Sequence, residues 1–414
     1  MQPITILEGA HIVLGVTGSI ACYKAVDLAS KLTQAGAQVD VILTNAAQKF
    51  ITPLSFQAVT GRPVYTNMWT TDESNGLPTH IAHVGLGEAA DLLAVIPATA
   101  HTIARLAQGM ADDLLSVTAL TANCPVLIAP AMDGAMYGHP AVQDNLEILR
   151  ARDVMIIPPE EGRFASGLLG VGRLPETPTL LGSIRRALGQ EGALAGCKVV
   201  VSAGGTREPI DPVRYVTNRS SGKQGYALAQ AALDAGAREV VLVTSAEGLP
   251  DPVGATVVRV NTADSMLEAI LDQSDRTDLL IMAAAVADFR PADIAAQKIK
   301  KRDDGSVPRI ELTQTPDILM EVKARREKTG YPCMVIGFAA ETENLLQNAG
   351  EKLERKGLDL LVANDITAPD AGFAVDTNRV VILDADGGQQ IVELASKTHI
   401  AEVIVERAAT LFGE

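Results

Sequence analysis

Residues 11–44 read HIVLGVTGSIACYKAVDLASKLTQAGAQVDVILT, and this stretch decides the fold. An apolar run comes first, then the glycine turn Gly15-Val16-Thr17-Gly18-Ser19-Ile20-Ala21. Apolar residues at helical spacing follow and stop at Ala35-Gly36, and a second apolar run leads to Thr44-Asn45. Strand, tight turn, amphipathic helix and strand make the repeating unit of a parallel sheet. Downstream, DLLAVIPATA, PVLIAPAM and DVMIIPP are further short apolar runs separated by helical stretches. That alternation predicts a doubly wound α/β domain.

The pattern ends near RRALGQEGALAG, residues 185–196, and then restarts. CKVVVSAGGT reads as a strand, KQGYALAQAALDAGA as a helix and EVVLVTS as the next strand. DLLIMAAAVADF, MVIGFAAET and LDLLVANDIT supply later strands. NRVVILDADGGQQIVEL reads as an antiparallel hairpin turning at Asp386-Gly387-Gly388, and KTHIAEVIVERAATLF as a closing helix. The prediction is two tandem Rossmann-like doubly wound domains, 1–190 and 191–414.

Composition narrows the function. The chain has 414 residues and 47% hydrophobic residues, but only 3% aromatics, so its cores are aliphatic. A net charge of −15 argues against a nucleic-acid or anionic-membrane binder, so anionic ligands need local cationic clusters or helix N-termini. Cys22, Cys124, Cys197 and Cys333 are far apart, which fits a reducing compartment and excludes a cysteine zinc site. The first residues lack a basic stretch followed by an apolar run, and no apolar run is long enough for a bilayer. A cytoplasmic protein is expected.

Ligands of open α/β sheets gather at the carboxyl ends of the strands. The turn carrying Gly18, Ser19 and Ile20 is G-x-x-G-S rather than G-x-G-x-x-G, and the second strand ends in Thr44 rather than in an acid. A hydroxyl there suits a phosphate, which points to a mononucleotide such as FMN rather than a dinucleotide. Pro97, Ala98 and Thr99 close another strand, and Asp133 follows a third in PAMDGAM. His83 precedes the strand that ends at Ile96; a lone histidine there is a surface residue, a satisfied core residue or an acid/base.

The second half has a loop of its own, YVTNRSSGKQG at 215–225. It lacks the first glycine of a Walker A motif, yet Ser220-Ser221-Gly222 opens a helix and Lys223 adds a positive charge, a suitable anion site. Ala284 and Ala285 are small enough for a base or ribose to approach the backbone, and Asp288 can serve a ribose hydroxyl or a metal. Lys298, Lys300 and Lys301 form a basic run; Lys352 and Lys356 lie one helical turn apart, and Phe338 sits in GFAAET. Together these suggest a triphosphate site with Mg²⁺ or Mn²⁺.

The segments GSIA, HVGL, PATAHT and PAMDGAM resemble those of the flavin-containing cysteine decarboxylases, and SAGGTREPIDPVRYVTNRSSGKQGYALA resembles the signature of the ligases fused to them. From about residue 10 to 410 the chain is similar to the bacterial bifunctional phosphopantothenoylcysteine decarboxylase/phosphopantothenate–cysteine ligases of coenzyme A synthesis. The resemblance implies that 4′-phosphopantothenate is activated by CTP as an acyl-cytidylate and coupled to L-cysteine. Lys298 then corresponds to the lysine favouring attack on the α-phosphate, and Asn218 to the asparagine contacting the intermediate. The product, 4′-phosphopantothenoylcysteine, is decarboxylated in the first domain, where FMN makes a thioaldehyde electron sink of the cysteinyl Cβ–S unit. His83 corresponds to the catalytic histidine. Likeness to the family also implies flavin-domain trimers joined by ligase-domain dimers, a dodecamer.

Three positions depart from the family pattern: Asp133 for Asn, Ser166 for a flap Cys, and His101 for Asn. Two carboxylates about 4 Å apart repel by roughly 4 kcal/mol at an effective dielectric of about 20, so Asp133 must be protonated or turned away, or the substrate carboxylate is held otherwise. A serine hydroxyl is a far poorer acid than a thiol, so Ser166 leaves the proton donor of the flap open. Two rival readings stand beside the bifunctional enzyme. A two-domain NAD(P) oxidoreductase conflicts with the missing dinucleotide fingerprint. A non-catalytic, regulatory flavoprotein of the same fold would explain Asp133 and Ser166.

Overall fold

The computed structural model describes residues 4–69, 82–163, 167–301, 307–341, 345–365 and 375–413. It divides into two compact units, Met1–Gly189 and Gln190–Glu414.

In the first unit, β1 (His11–Val16), α1 (Cys22–Gln34), β2 (Gln38–Leu43), α2 (Pro53–Thr60) and β3 (Val64–Tyr65) form one half of a sheet. The other half follows as α3 (Ala82–Ala89), β4 (Leu92–Ala98), α4 (Ala100–Gln108), α5 (Leu114–Thr121), β5 (Val126–Pro130), α6 (Gly134–Tyr137), α7 (Pro140–Arg150) and β6 (Met155–Ile156). The strands are parallel in the order β3-β2-β1-β4-β5-β6, so the winding reverses between β1 and β4. Alternate side chains feed two cores. Ile12 and Leu14 face one layer, while Val13 and Val95 face the other, so both sides of the sheet are apolar. A separate antiparallel hairpin, β7 (Glu160–Arg163) and β8 (Leu169–Arg173), precedes α8 (Thr177–Leu188).

The second unit repeats the plan. It begins with β9 (Lys198–Ala203), a small hairpin of β10 (Arg207–Pro209) and β11 (Tyr215–Thr217), and α9 (Lys223–Asp234). Next come β12 (Glu239–Thr244), β13 (Ala255–Arg259), α10 (Ala263–Gln273), β14 (Leu279–Met282) and a second hairpin, β15 (Phe289–Pro291) with β16 (Leu312–Gln314). The chain continues through α11 (Ile318–Thr329), β17 (Met334–Glu341), α12 (Leu345–Lys356) and β18 (Leu360–Asp365). It closes with β19 (Thr377–Asp384), β20 (Gln389–Ser396) and α13 (Lys397–Gly413).

The second sheet runs β13-β12-β9-β14-β17-β18-β19-β20, parallel as far as β18 and antiparallel beyond it. The Asp384 carboxylate shapes the β19–β20 turn by accepting the N–H groups of Asp386 and Gly388, at 3.1 and 2.6 Å. Two tandem doubly wound α/β domains are therefore present, as the alternation predicts. The strand read from DLLIMAAAVADF is shorter than its apolar run. It stops at Met282, because the next ladder position is lost where the Ala284 N–H turns to the Ser202 hydroxyl at 3.1 Å; pairing then recurs only as a single parallel bridge between Ala285 and Gly205. Among the described residues, no helix is long and apolar enough to cross a membrane.

Candidate active sites

At the switch point of the first sheet, the turn after β1 meets the end of β4. The buried Thr17 hydroxyl donates to the Pro97 carbonyl at 2.7 Å and accepts the Thr99 N–H at 3.0 Å. A Cβ on Gly18 would overlap the Cβ of Ala46, so the turn lies tight against the residues after β2. Ser19 folds back on Ala21, and α1 begins with no side-chain cap and no acid in its first turn. Of its first N–H groups, those of Cys22 and Lys24 donate to the Ser19 and Ala21 carbonyls, each at 3.0 Å. Thr99 caps α4 by accepting the Thr102 N–H, and the Thr44 hydroxyl accepts the Ala47 N–H at 3.2 Å.

A cavity of about 370 Å³ opens beside this turn. It is lined by Ser19, Ile20 and Ala21, by Met132 and Asp133 after β5, and by Arg163 and Arg173 of the hairpin. Asp133 caps the short α6, accepting the Ala135 N–H at 3.0 Å. Lys24, on the buried face of α1, also lines the cavity; its ammonium donates to the Leu174 carbonyl at 2.8 Å and pairs with Glu176 at 2.9 Å. Sequence reasoning missed Lys24, although a lysine one turn before Leu28 on the apolar stripe of α1 was the signal.

Of the predicted residues, Ser19, Ile20 and Asp133 line this cavity. His83 does not: it lies on α3, half-buried, with its carbonyl accepting the Thr121 hydroxyl at 2.9 Å. Ser166 lies outside the described residues.

A larger cavity, about 650 Å³, occupies the same position on the second sheet. Gly222 caps α9 with φ +76°, a left-handed conformation that favours glycine, and α9 starts with no side-chain cap and no acid in its first turn. Asn218, Ser220, Ser221, Lys223, Ala284, Ala285, Asp288, Phe338, Lys352 and Lys356 all line this space. Asn218 donates to the Val286 carbonyl at 2.9 Å, and Ala284 donates to the Ser202 hydroxyl at 3.1 Å, which ties the loop after β14 to the segment after β11 and to β9 itself.

The cations here are held by named partners. Lys223 pairs with Asp376 at 2.6 Å, Lys352 donates to the Phe338 carbonyl at 3.0 Å, and Lys356 pairs with Asp317. Burial lowers the pKa of Lys356 against the opposing pull of Asp288. Lys397, also in the lining, has its pKa lowered by burial first and by the neighbouring Lys223 second. Lys397, Asn378 and the stretch from Gln314 to Leu319 were missed from sequence, since neither charge spacing nor glycines mark them.

Lys298 is not among the residues lining the larger cavity; it is exposed on the irregular segment after β15. Among the described residues, no group of three or more His, Cys, Asp or Glu side chains could hold a metal ion.

Two doubly wound domains, each with an uncapped helix N-terminus beside a cavity at its switch point, define a tandem protein of the doubly wound α/β class with two candidate sites. A flavoprotein family model matches residues 3–189, and a model described as the DNA/pantothenate metabolism flavoprotein C-terminal domain matches residues 194–411. The Bacillus subtilis (strain 168) coenzyme A biosynthesis bifunctional protein CoaBC is 44% identical over 408 residues, covering 98% of each chain. The protein of the same name from Mycobacterium bovis is 44% identical over 413 residues, covering 97% of each. A crystal structure of the C-terminal domain of a CoaBC protein is 36% identical, covers 54% of this chain and 98% of that one, and gives a TM-score of 0.45. The chain belongs to the CoaBC family of coenzyme A biosynthesis bifunctional proteins.

Proposed function

We propose that the chain performs two consecutive steps of coenzyme A synthesis. Its second unit couples 4′-phosphopantothenate to L-cysteine, and its first unit decarboxylates the resulting 4′-phosphopantothenoylcysteine to 4′-phosphopantetheine. The carrying observation is the end-to-end match to a bifunctional relative, 98% of each chain at 44% identity, spanning both units.

FMN is the proposed cofactor of the first unit. The residues are compatible with its phosphate: α1 starts with no side-chain cap and no acid in its first turn, and Gly18 lets the preceding turn lie tight against Ala46. Bound there, the flavin supplies a reversible two-electron oxidation of the cysteinyl Cβ–S unit, so that the electrons left by CO₂ have somewhere to go. Around it, the turn of Gly18, Ser19 and Ile20 grips phosphate, Arg163 and Arg173 balance substrate charge, and His83 exchanges the proton. By likeness to the family, Thr44, Pro97, Ala98 and Thr99 are further flavin contacts, and Ser166 stands at the position of the family's flap cysteine. The Asp133 carboxylate accepts the Ala135 N–H, which fits a group turned toward its own helix rather than toward a substrate carboxylate.

In the second unit, CTP is the proposed activating nucleotide. Ser220 to Lys223 at the start of α9, with Lys352 and Lys356, hold the triphosphate. Ala284, Ala285 and Phe338 face base and ribose. Lys298 favours attack of the pantothenoyl carboxylate on the α-phosphate, and Asn218 steadies the acyl carbonyl while the cysteine amine attacks. Asp288 is a single carboxylate, so Mg²⁺ would be held by it together with the substrate phosphates. A cytoplasmic homo-oligomer, a dodecamer of flavin-domain trimers and ligase-domain dimers, is proposed from likeness to the family.

The test is to supply purified protein with 4′-phosphopantothenate, cysteine, Mg²⁺ and either CTP or ATP, and to identify the products by mass. Formation of 4′-phosphopantetheine, CO₂ and pyrophosphate is expected with CTP. A colourless protein that binds no added flavin and couples no cysteine would overturn the proposal.

A further inference from the structure

The segment that carries Lys298 has no regular structure, yet it is fastened to the chain at several points. Ala295 donates its N–H to the Ile210 carbonyl at 3.0 Å, and Arg214 reaches the Ile299 carbonyl at 3.2 Å. The firmest tie is a carboxylate. The Asp211 side chain is fully buried, and one oxygen accepts the N–H groups of Val213 and Arg214 on its own turn, at 2.8 and 2.9 Å. Its other oxygen accepts the N–H of Ile299 at 3.1 Å, 88 residues further along the chain. A buried carboxylate must be compensated by donors; besides the Arg214 guanidinium, 3.5 Å away, Asp211 has these three N–H groups, two of them on a turn that an aspartate alone could close. The third joins that turn to the residue next to Lys298.

We infer that Asp211 is a positioning residue for the ligase half-reaction, acting through the backbone of Ile299 to fix the point from which the Lys298 ammonium reaches the nucleotide. The inference rests on the reading of Lys298 given above. A lysine side chain is long and flexible, so an unfastened loop would spread its charge over many positions. Misplacement of a reacting group by about 1 Å can cost on the order of a hundredfold in rate. Asp211 touches neither substrate nor nucleotide in this scheme; it removes freedom from the residue that does.

The experiment uses the full chain with Asp211→Asn, which keeps the size of the side chain but offers the three N–H groups one accepting oxygen instead of two. Two half-reactions are timed separately: pyrophosphate release from CTP with 4′-phosphopantothenate, and coupling of separately supplied phosphopantothenoyl cytidylate to cysteine. The expected result is a drop of about ten- to a hundredfold in kcat for the first with the second unchanged, because the second does not need Lys298. Ile299→Pro, which deletes the donor while leaving Asp211 and its turn intact, should give the same split.

Loss of both half-reactions in Asp211→Asn, or of neither, overturns the inference and leaves Asp211 a residue of the fold or of no consequence. Lys298→Gln separates this from the underlying reading. If it retains pyrophosphate release, the role of Lys298 is wrong; if it loses release while both other variants keep it, only the role of Asp211 is wrong.

Discussion

His83 and His11 are both histidines near strands of the first sheet, and their surroundings separate a chemical role from a structural one. His11 is wedged between acceptors. Its Nδ1 is 2.8 Å from the Ala89 carbonyl and its Nε2 contacts the Asp40 carboxylate, which also receives two bonds from Arg62, each at 2.8 Å. Both ring nitrogens must donate, so the imidazolium is favoured and the His11 pKa is raised, chiefly by the bond to Asp40. The stabilisation this charge supplies is complete below the ordinary histidine pKa and fades as pH rises through the elevated folded value. His11→Gln should therefore lower the melting point of the first unit near pH 6, by an amount equivalent to about 1–3 kcal/mol, and by clearly less near pH 9. Equal losses at both pH values, measured by thermal unfolding, would refute a charged His11. Asp40, on β2, thus belongs to this cluster and not to a ribose. Among the described residues His83 has no such enclosure, and its backbone is tied to α5 through Thr121. His83→Asn should leave a yellow protein that releases no CO₂ while ligase activity is unchanged, read by absorbance and by both product assays. Turnover by that variant would remove His83 from the chemistry.

Each candidate site hangs on the helix that follows the first strand of its sheet, so an element displaced by a fraction of an ångström should disturb binding. α9 rests directly on β9: a Cβ on Gly225 would overlap that of Ala203 and stand 2.8 Å from the Ser202 carbonyl. Alanine is favoured over glycine in a helix by about 1 kcal/mol, but overpacking against a strand backbone costs roughly 1–3 kcal/mol. Gly225→Ala should therefore lower the stability of the second unit and weaken CTP binding, since Ser220 to Lys223 move with the helix; calorimetry of both quantities checks this. An unchanged CTP affinity would show that the start of α9 does not hold the nucleotide.

The same elements show what a sequence can and cannot disclose. β1, α1 and β2 were legible because periodicity and a glycine turn are local signals, as was the β19–β20 hairpin with its Asp-Gly-Gly turn. The hairpins β7–β8, β10–β11 and β15–β16 were not, because β10, β11, β15 and β16 are three residues each and β7–β8 pairs outside the main sheet. Their meaning comes from distant partners, such as Ile299 for the turn beyond β10. For the same reason the glycines and hydroxyls of both cavities could be read in advance, whereas Asn378, on β19, and Lys397, after β20, enter the second from the antiparallel end of the sheet.

At the scale of the whole molecule, each unit has its own pair of apolar layers, one on each face of its sheet, and each layer is drawn from a single unit. Cores that share no side chains need not melt together, so calorimetry of the full chain should resolve two transitions. Ligands then assign them. A ligand present at about a hundred times its Kd stabilises the state that binds it by roughly 2.7 kcal/mol. For a unit of this size that raises the midpoint by about 5–10 °C. FMN should move one transition and leave the other in place, and CTP with Mg²⁺ should do the reverse. Gly18→Val, whose side chain would collide with Ala46, should abolish the shift caused by FMN and preserve the shift caused by CTP. If either ligand moved both transitions equally, the two units would be a single cooperative body, and two independent sites on one chain would be the wrong description of how it works.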